Sequence, residues 1–167
     1  LGEWSGRESA RSLASLAIQD ADDPYLAAAV TSSINKENLD DVLTVALAER
    51  QDPAAGRLIG HLLALSVAFG NRQATLNGLD AIVRLEKADD LPWQCETVAG
   101  LLDALKRRRT SLDTLLREEG ERGRELLHQV AGLTDRARMT AFDAQSTELL
   151  RTPAILLLAR HPDGRAE

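Results

Sequence analysis

Three places along the chain pair acidic residues with a proline in a way that starts a helix. Asp23-Pro24 and Asp52-Pro53 are close copies, and Asp89-Asp90-Leu91-Pro92 is a looser third version. An aspartate before the first helical turn can accept hydrogen bonds from its free N–H groups. Proline fits the first helical position because it has no N–H to lose there and its φ is already set. A chain with three such joints has to end and restart helices at short intervals, and no long uninterrupted rod is compatible with it.

What lies between the joints is helical in character. Apolar residues make up 44% of the 167 positions, but aromatics only 3%, so the core has to be built from Leu, Ala, Val and Ile. Leu and Ala favour helices, and the residues that favour strands are sparse. No segment alternates strictly, and no Asn-Gly or Asp-Gly turn joins two β-rich runs. The expectation is an all-α chain.

The apolar periods place the helices. The first is predicted from Gly6 to Gln19, with Ser5 and Glu8 as a capping box and Leu13, Leu16 and Ala17 as its stripe. The second is predicted from Pro24 to Ile34, where Ala27, Ala28 and Ala29 would allow a neighbour to approach closely. Asn35 either ends it or caps the next helix, predicted over Lys36 to Arg50 with Leu39, Val42, Leu43, Ala46 and Leu47 inward. The helix from Pro53 to Phe69 is apolar on nearly every face and needs cover on several sides, with Gly70 as its left-handed end. A fifth runs from Arg72 to Lys87, and a sixth from Pro92 to Arg108 with Cys95 on its stripe. Thr110-Ser111 then caps a long helix ending near Phe142; Gly120 and Gly123 either admit a crossing helix within it or mark a break. The last, capped by Ser146 or Thr147, carries Leu149, Leu150, Ile155, Leu156 and Leu158, with Pro153 as a kink or as its true start.

Taken in order, these helices form about four antiparallel pairs. In the first three pairs proline opens, or nearly opens, the second helix. Irregular two-helix units of this kind suit a right-handed α-solenoid of HEAT or armadillo type, in which each pair buries its apolar face only by stacking on the next. A non-repeating helical bundle is the alternative. The whole of 1–167 reads as a single helical-repeat domain excised from something longer.

Net charge is −6, whereas a nucleic-acid binder usually presents a basic face. The one basic run, Lys106-Arg107-Arg108-Arg109, falls at a predicted helix C-terminus, where cations suit the helix dipole; a phosphate-binding patch is the other reading. The longest apolar runs, such as Ala154–Ala159, are far shorter than a membrane span. A single cysteine excludes an internal disulfide and any two-cysteine attachment motif, and Cys95 reads as core rather than as a reactive thiol. His61, His128 and His161 have no His-Glu neighbours and are not spaced to share a helix face as metal ligands. Asp20, Asp22, Asp23, Asp89 and Asp90 read as turn and cap residues without the spacing of a calcium loop. No phosphate loop or nucleophile elbow is present. No catalytic, cofactor-binding or metal-binding residue is assigned, and no cofactor is expected.

One family resemblance can be stated. Leu1-Gly2-Glu3-Trp4, Ala10-Arg11-Ser12-Leu13-Ala14 and the stretch Asp20-Ala21-Asp22-Asp23-Pro24-Tyr25-Leu26 through Ala27-Ala28-Ala29-Val30-Thr31-Ser32-Ser33 resemble the HEAT-repeat region of large Planctomycete multidomain proteins. Those combine a propeller-type dehydrogenase-like domain, HEAT repeats and a c-type cytochrome domain. The similarity is best over residues 1–35 and continues weakly to Leu156-Leu157-Leu158-Ala159-Arg160-His161-Pro162. It implies an extracytoplasmic or periplasmic location. The chain lacks the Cys-x-x-Cys-His haem motif, so no redox residue carries over.

The expected function is therefore a non-enzymatic interaction scaffold. Its partners would be proteins, either neighbouring domains of a larger cytochrome-containing protein or another chain, with no nucleic acid and no membrane insertion. The alternatives are a nucleic-acid-binding HEAT module, as in alkylation-repair glycosylases of similar architecture, and a metal-dependent helical-repeat enzyme.

Overall fold

The computed structural model describes residues 7–161 apart from Asp22, Gln51 and Glu86. All the regular structure among them is helical: α1 Arg7–Gln19, α2 Pro24–Ser33, α3 Leu39–Ala48, α4 Pro53–Phe69, α5 Arg72–Val83, α6 Leu91–Arg107, α7 Leu112–Arg117, α8 Gly120–Phe142 and α9 Glu148–Leu158, with a short 3-10 turn at Ala88–Asp90 before α6. The chain divides into two compact units, one ending at Gly78 and the other beginning at Leu79, so the boundary falls inside α5.

The first two acidic joints work as the spacing predicts. Asp23 is extended, and its Oδ1 accepts from the N–H groups of Tyr25 at 2.8 Å and Leu26 at 3.2 Å. Asp52 does the same for Ala54 at 2.8 Å. The third joint differs. Asp90 has helical dihedrals and no capping bond, because the 3-10 turn already leads into α6 and supplies that turn's geometry. The predicted capping box at Ser5 lies outside the described residues.

In the first unit α1 packs on α2, α3 and α4, and α3 packs on α4. Leu39, Val42, Leu43 and Ala46 of α3 are buried, as predicted. On α4, Ile59, Leu62 and Leu63 are fully enclosed, each contributing about 1.5–3 kcal/mol of burial. Arg57, His61 and Ala68 are exposed along one edge of it. The segment after α2 is a turn of two asparagines. Asn35 Oδ1 accepts from the N–H groups of Glu37 and Asn38, and Asn38 Nδ2 donates to the Ser33 carbonyl. These local bonds delay α3 by three residues relative to expectation.

The small residues of α2 are not used as expected. Ala27, Ala28 and Ala29 are exposed, Tyr25 is 86% exposed, and Val30 is the buried residue of the helix.

In the second unit α9 packs against both α6 and α8, and α7 packs on α8. The long helix expected from Thr110 to Phe142 is broken. α7 ends at Arg117, Gly120 takes φ +58, and α8 starts there. The left-handed residue reverses the local path, which glycine allows without steric cost. The fifth helix also stops at Val83, four residues before the predicted end.

α9 runs through Pro153 without stopping there. The missing N–H of Pro153 removes the usual helical donor of the Leu149 carbonyl, and Leu149 itself is 83% exposed. The buried face of α9 is Pro153, Ala154 and Leu157, not the expected set, for Leu149 and Ile155 face outward. Thr147 occupies the cap position, but its hydroxyl makes no cap bond.

Candidate functional site

The residues with chemical potential are dispersed. His61 is exposed on α4, His128 is exposed on α8, and His161 is half-buried just past α9. Among the described residues no three His, Cys, Asp or Glu side chains come together in a way that could hold a metal ion. None of their helices is long and apolar enough to cross a membrane.

Cys95 is fully buried on the inner face of α6. Burial pushes its thiol up to about 12, and the nearby Arg136 charge offsets this only in part. A thiol held this far from ionisation is inert as a nucleophile near neutrality.

Beside it lies a buried polar cluster that sequence reasoning missed. Gln94 is fully enclosed, and its Nε2 donates to the carbonyls of Ile82 at 2.6 Å and Leu85 at 3.0 Å. Arg136 of α8 donates through Nη2 to the same Leu85 carbonyl and to Gln94 Oε1, both at 3.3 Å. Carbonyls at a helix end lack the full set of helical donors; that of Ile82 accepts from the Leu85 N–H at 3.2 Å as well as from Gln94, and that of Leu85 accepts from Gln94 and Arg136. A signal was available: Gln94, Val98, Leu101 and Leu105 share one helix face, so a glutamine stands at a core position of the α6 stripe.

Among the described residues are concavities large enough to receive a ligand, two of which are lined as follows. One, of about 730 Å³, lies between α1 and α3 and mixes charges: Arg7 and Arg11 on one side, Asp41, Glu49 and Asp52 on the other. The second, of about 710 Å³, is bounded by the end of α6, the start of α7, Leu127 of α8 and the residues just past α9. Its floor is leucine: Leu102, Leu105, Leu112 and Leu127. Within it Arg160 Nε donates to Asp103 Oδ2 at 2.6 Å, a pair in which both side chains are about one-third exposed.

One residue of the basic run lines this second groove, and the other three follow it in the chain. Lys106 lines it, and Arg107, Arg108 and Arg109 continue into the turn that leads to Thr110 and Ser111 on its wall. All four cations are exposed. As predicted, the run closes a helix: Arg109 N–H donates to the Lys106 carbonyl, and Thr110 N–H to that of Leu105. Arg109 is left-handed at φ 56. The end of α4 uses the same pair of bonds, from Gly70 to Val67 and from Asn71 to Ser66, with Gly70 at φ 70.

No protein-family model, curated protein or solved structure matches the chain.

Proposed function

We propose that the chain is a non-enzymatic interaction scaffold, a HEAT- or armadillo-like right-handed solenoid of stacked helix pairs that binds protein. The observation that carries the reading is the order of stacking. The first helices of successive pairs pack together, α1 on α3, and the second helices do so in the other unit, α6 on α9. Pairs such as α1–α2, α3–α4 and α8–α9 are joined by short turns. Packing of α1 on α3 and of α6 on α9 supports a repeat array, in which each pair would bury its face on the next. The sequence resemblance to HEAT regions of Planctomycete multidomain proteins points the same way, and makes neighbouring domains of a larger redox protein the first candidates as partners.

Large apolar side chains left in water add support. Met139, Phe142, Leu149 and Ile155 are all exposed around the α8–α9 turn, Phe142 at 82%. Large apolar side chains left exposed are of the kind that a protein partner covers. The reading is tested by cross-linking mass spectrometry on the intact native protein. Cross-links from these helices to another domain or chain support it, and their complete absence under conditions that cross-link other regions removes it.

A further inference from the structure

We propose that the leucine-floored groove between α6, α7 and the end of α9 docks an acidic polypeptide segment carrying an apolar anchor. The inference rests on the scaffold reading and names the partner's chemistry and the site.

Two features of the groove select this occupant. The first is charge. Each anion that lines it has a cation beside it: Asp103 pairs with Arg160, and Asp113 faces Arg117 at 3.6 Å in an exposed pair. Lys106, Arg107, Arg108 and Arg109 make no ion pair among the described residues. The turn bordering the groove is therefore locally cationic on a chain whose net charge is −6. Such a reversal of sign attracts an acidic segment and orients it during encounter. The second feature is the floor. Leu102 and Leu127 keep part of their surface exposed where they line a concavity of about 710 Å³. That is room for one or two aliphatic side chains, whose burial would complete the enclosure of both leucines.

The same features disfavour other anions. A free phosphate needs donors converging on one point, and the cations here are spread along a turn. Extended single-stranded nucleic acid is held by aromatic platforms, and no aromatic side chain lines this groove.

The test is fluorescence anisotropy of the full chain with a short labelled peptide of Asp and Glu around a central Leu-Leu pair, titrated at low and high salt. Binding is expected, weakening with salt. The triple variant Lys106→Glu, Arg107→Glu, Arg108→Glu should bind about ten-fold more weakly or worse and lose most of the salt dependence. These side chains are exposed, so the fold should survive, as far-UV circular dichroism will verify. Leu127→Gln should weaken binding several-fold and leave the salt dependence intact, which an unstructured basic patch would not produce. A peptide of Asp and Glu without the leucines should bind less tightly.

The proposal is overturned if the labelled peptide does not bind or if the triple variant binds as well as the parent. It is equally overturned if the leucine-free peptide matches the anchored one, or if single-stranded DNA of equal charge binds more tightly. Cross-links of the native protein that map only to other surfaces would also remove this groove while leaving the scaffold reading standing.

Discussion

Gly123 lies directly against Leu116: a methyl group on its α-carbon would overlap the Leu116 carbonyl oxygen. The short helix α7 can fold back on the start of α8 only because that position has no side chain. The break after Arg117 and the glycine four residues into α8 are one device, the first turning the chain and the second letting the two pieces touch.

Gly123→Ala should therefore destabilise the protein by about 2 kcal/mol or more, since backbone has to move to admit the methyl group. Gly132→Ala is the control. It lies later in the same helix with open space around its α-carbon, and should stabilise by about 0.5–1 kcal/mol. Urea unfolding of both variants checks the pair; equal effects would show that the contact between α7 and α8 is not maintained in solution.

Arg109 and Gly70 occupy the same left-handed position in the same type of helix ending. A non-glycine residue there carries about 1 kcal/mol of steric strain. Arg109→Gly should relieve it, with a net gain of about 0.5 kcal/mol after the added freedom of the unfolded chain. Gly70→Ala should lose about 1 kcal/mol. Thermal melts of the two variants should shift in opposite directions.

Gln94 donates to the carbonyls of Ile82 and Leu85, and Arg136 donates to that of Leu85. Gln94→Leu removes one of the two donors of the Ile82 carbonyl, which keeps the Leu85 N–H, and should cost about 1–2 kcal/mol. Arg136→Met should cost less, because Gln94 still reaches Leu85. The two losses should not add, since Arg136 also donates to Gln94. A double-mutant cycle should give a coupling of about 0.5 kcal/mol or more.

Cys95 makes stability fall at alkaline pH. Its folded thiol is raised to about 12 from an ordinary 9.0, so above pH 9 the unfolded chain loses this proton while the folded protein keeps it. The unfolded state then binds fewer protons, and stability declines by at most about 1.4 kcal/mol per pH unit between pH 9 and 12. Below pH 9 the thiol contributes no slope. Comparison with Cys95→Ala, which removes this slope and leaves every other titrating group in place, isolates the effect. Thiol-reactive dyes should label Cys95 only after unfolding.

How far each feature could be read beforehand depends on how local it is. The helix starts at Asp23-Pro24 and Asp52-Pro53 need only an aspartate and the two or three N–H groups that follow it. The left-handed end at Gly70 needs only glycine's missing side chain. The inward faces of α3 and α5 follow from periodic leucines with polar residues opposite. All of these, and the all-α class with them, were legible from neighbouring residues.

The rest is decided by residues far apart in the chain. The buried side of α9 could not be chosen from its sequence, because Leu149, Leu150, Ile155, Leu156, Leu157 and Leu158 surround the helix; contact with α6 and α8 selected Pro153, Ala154 and Leu157. Gly123 marks a break only because Leu116 folds back onto it. Gln94 and Arg136 meet across 42 positions, and Arg160 meets Asp103 across 57. Local bonding therefore sets where helices begin and which can form. The sides they bury, and the groove in which Lys106 meets the leucines of three helices, arise when apolar faces compete for the same partners in three dimensions, and a single helix carries no record of that outcome.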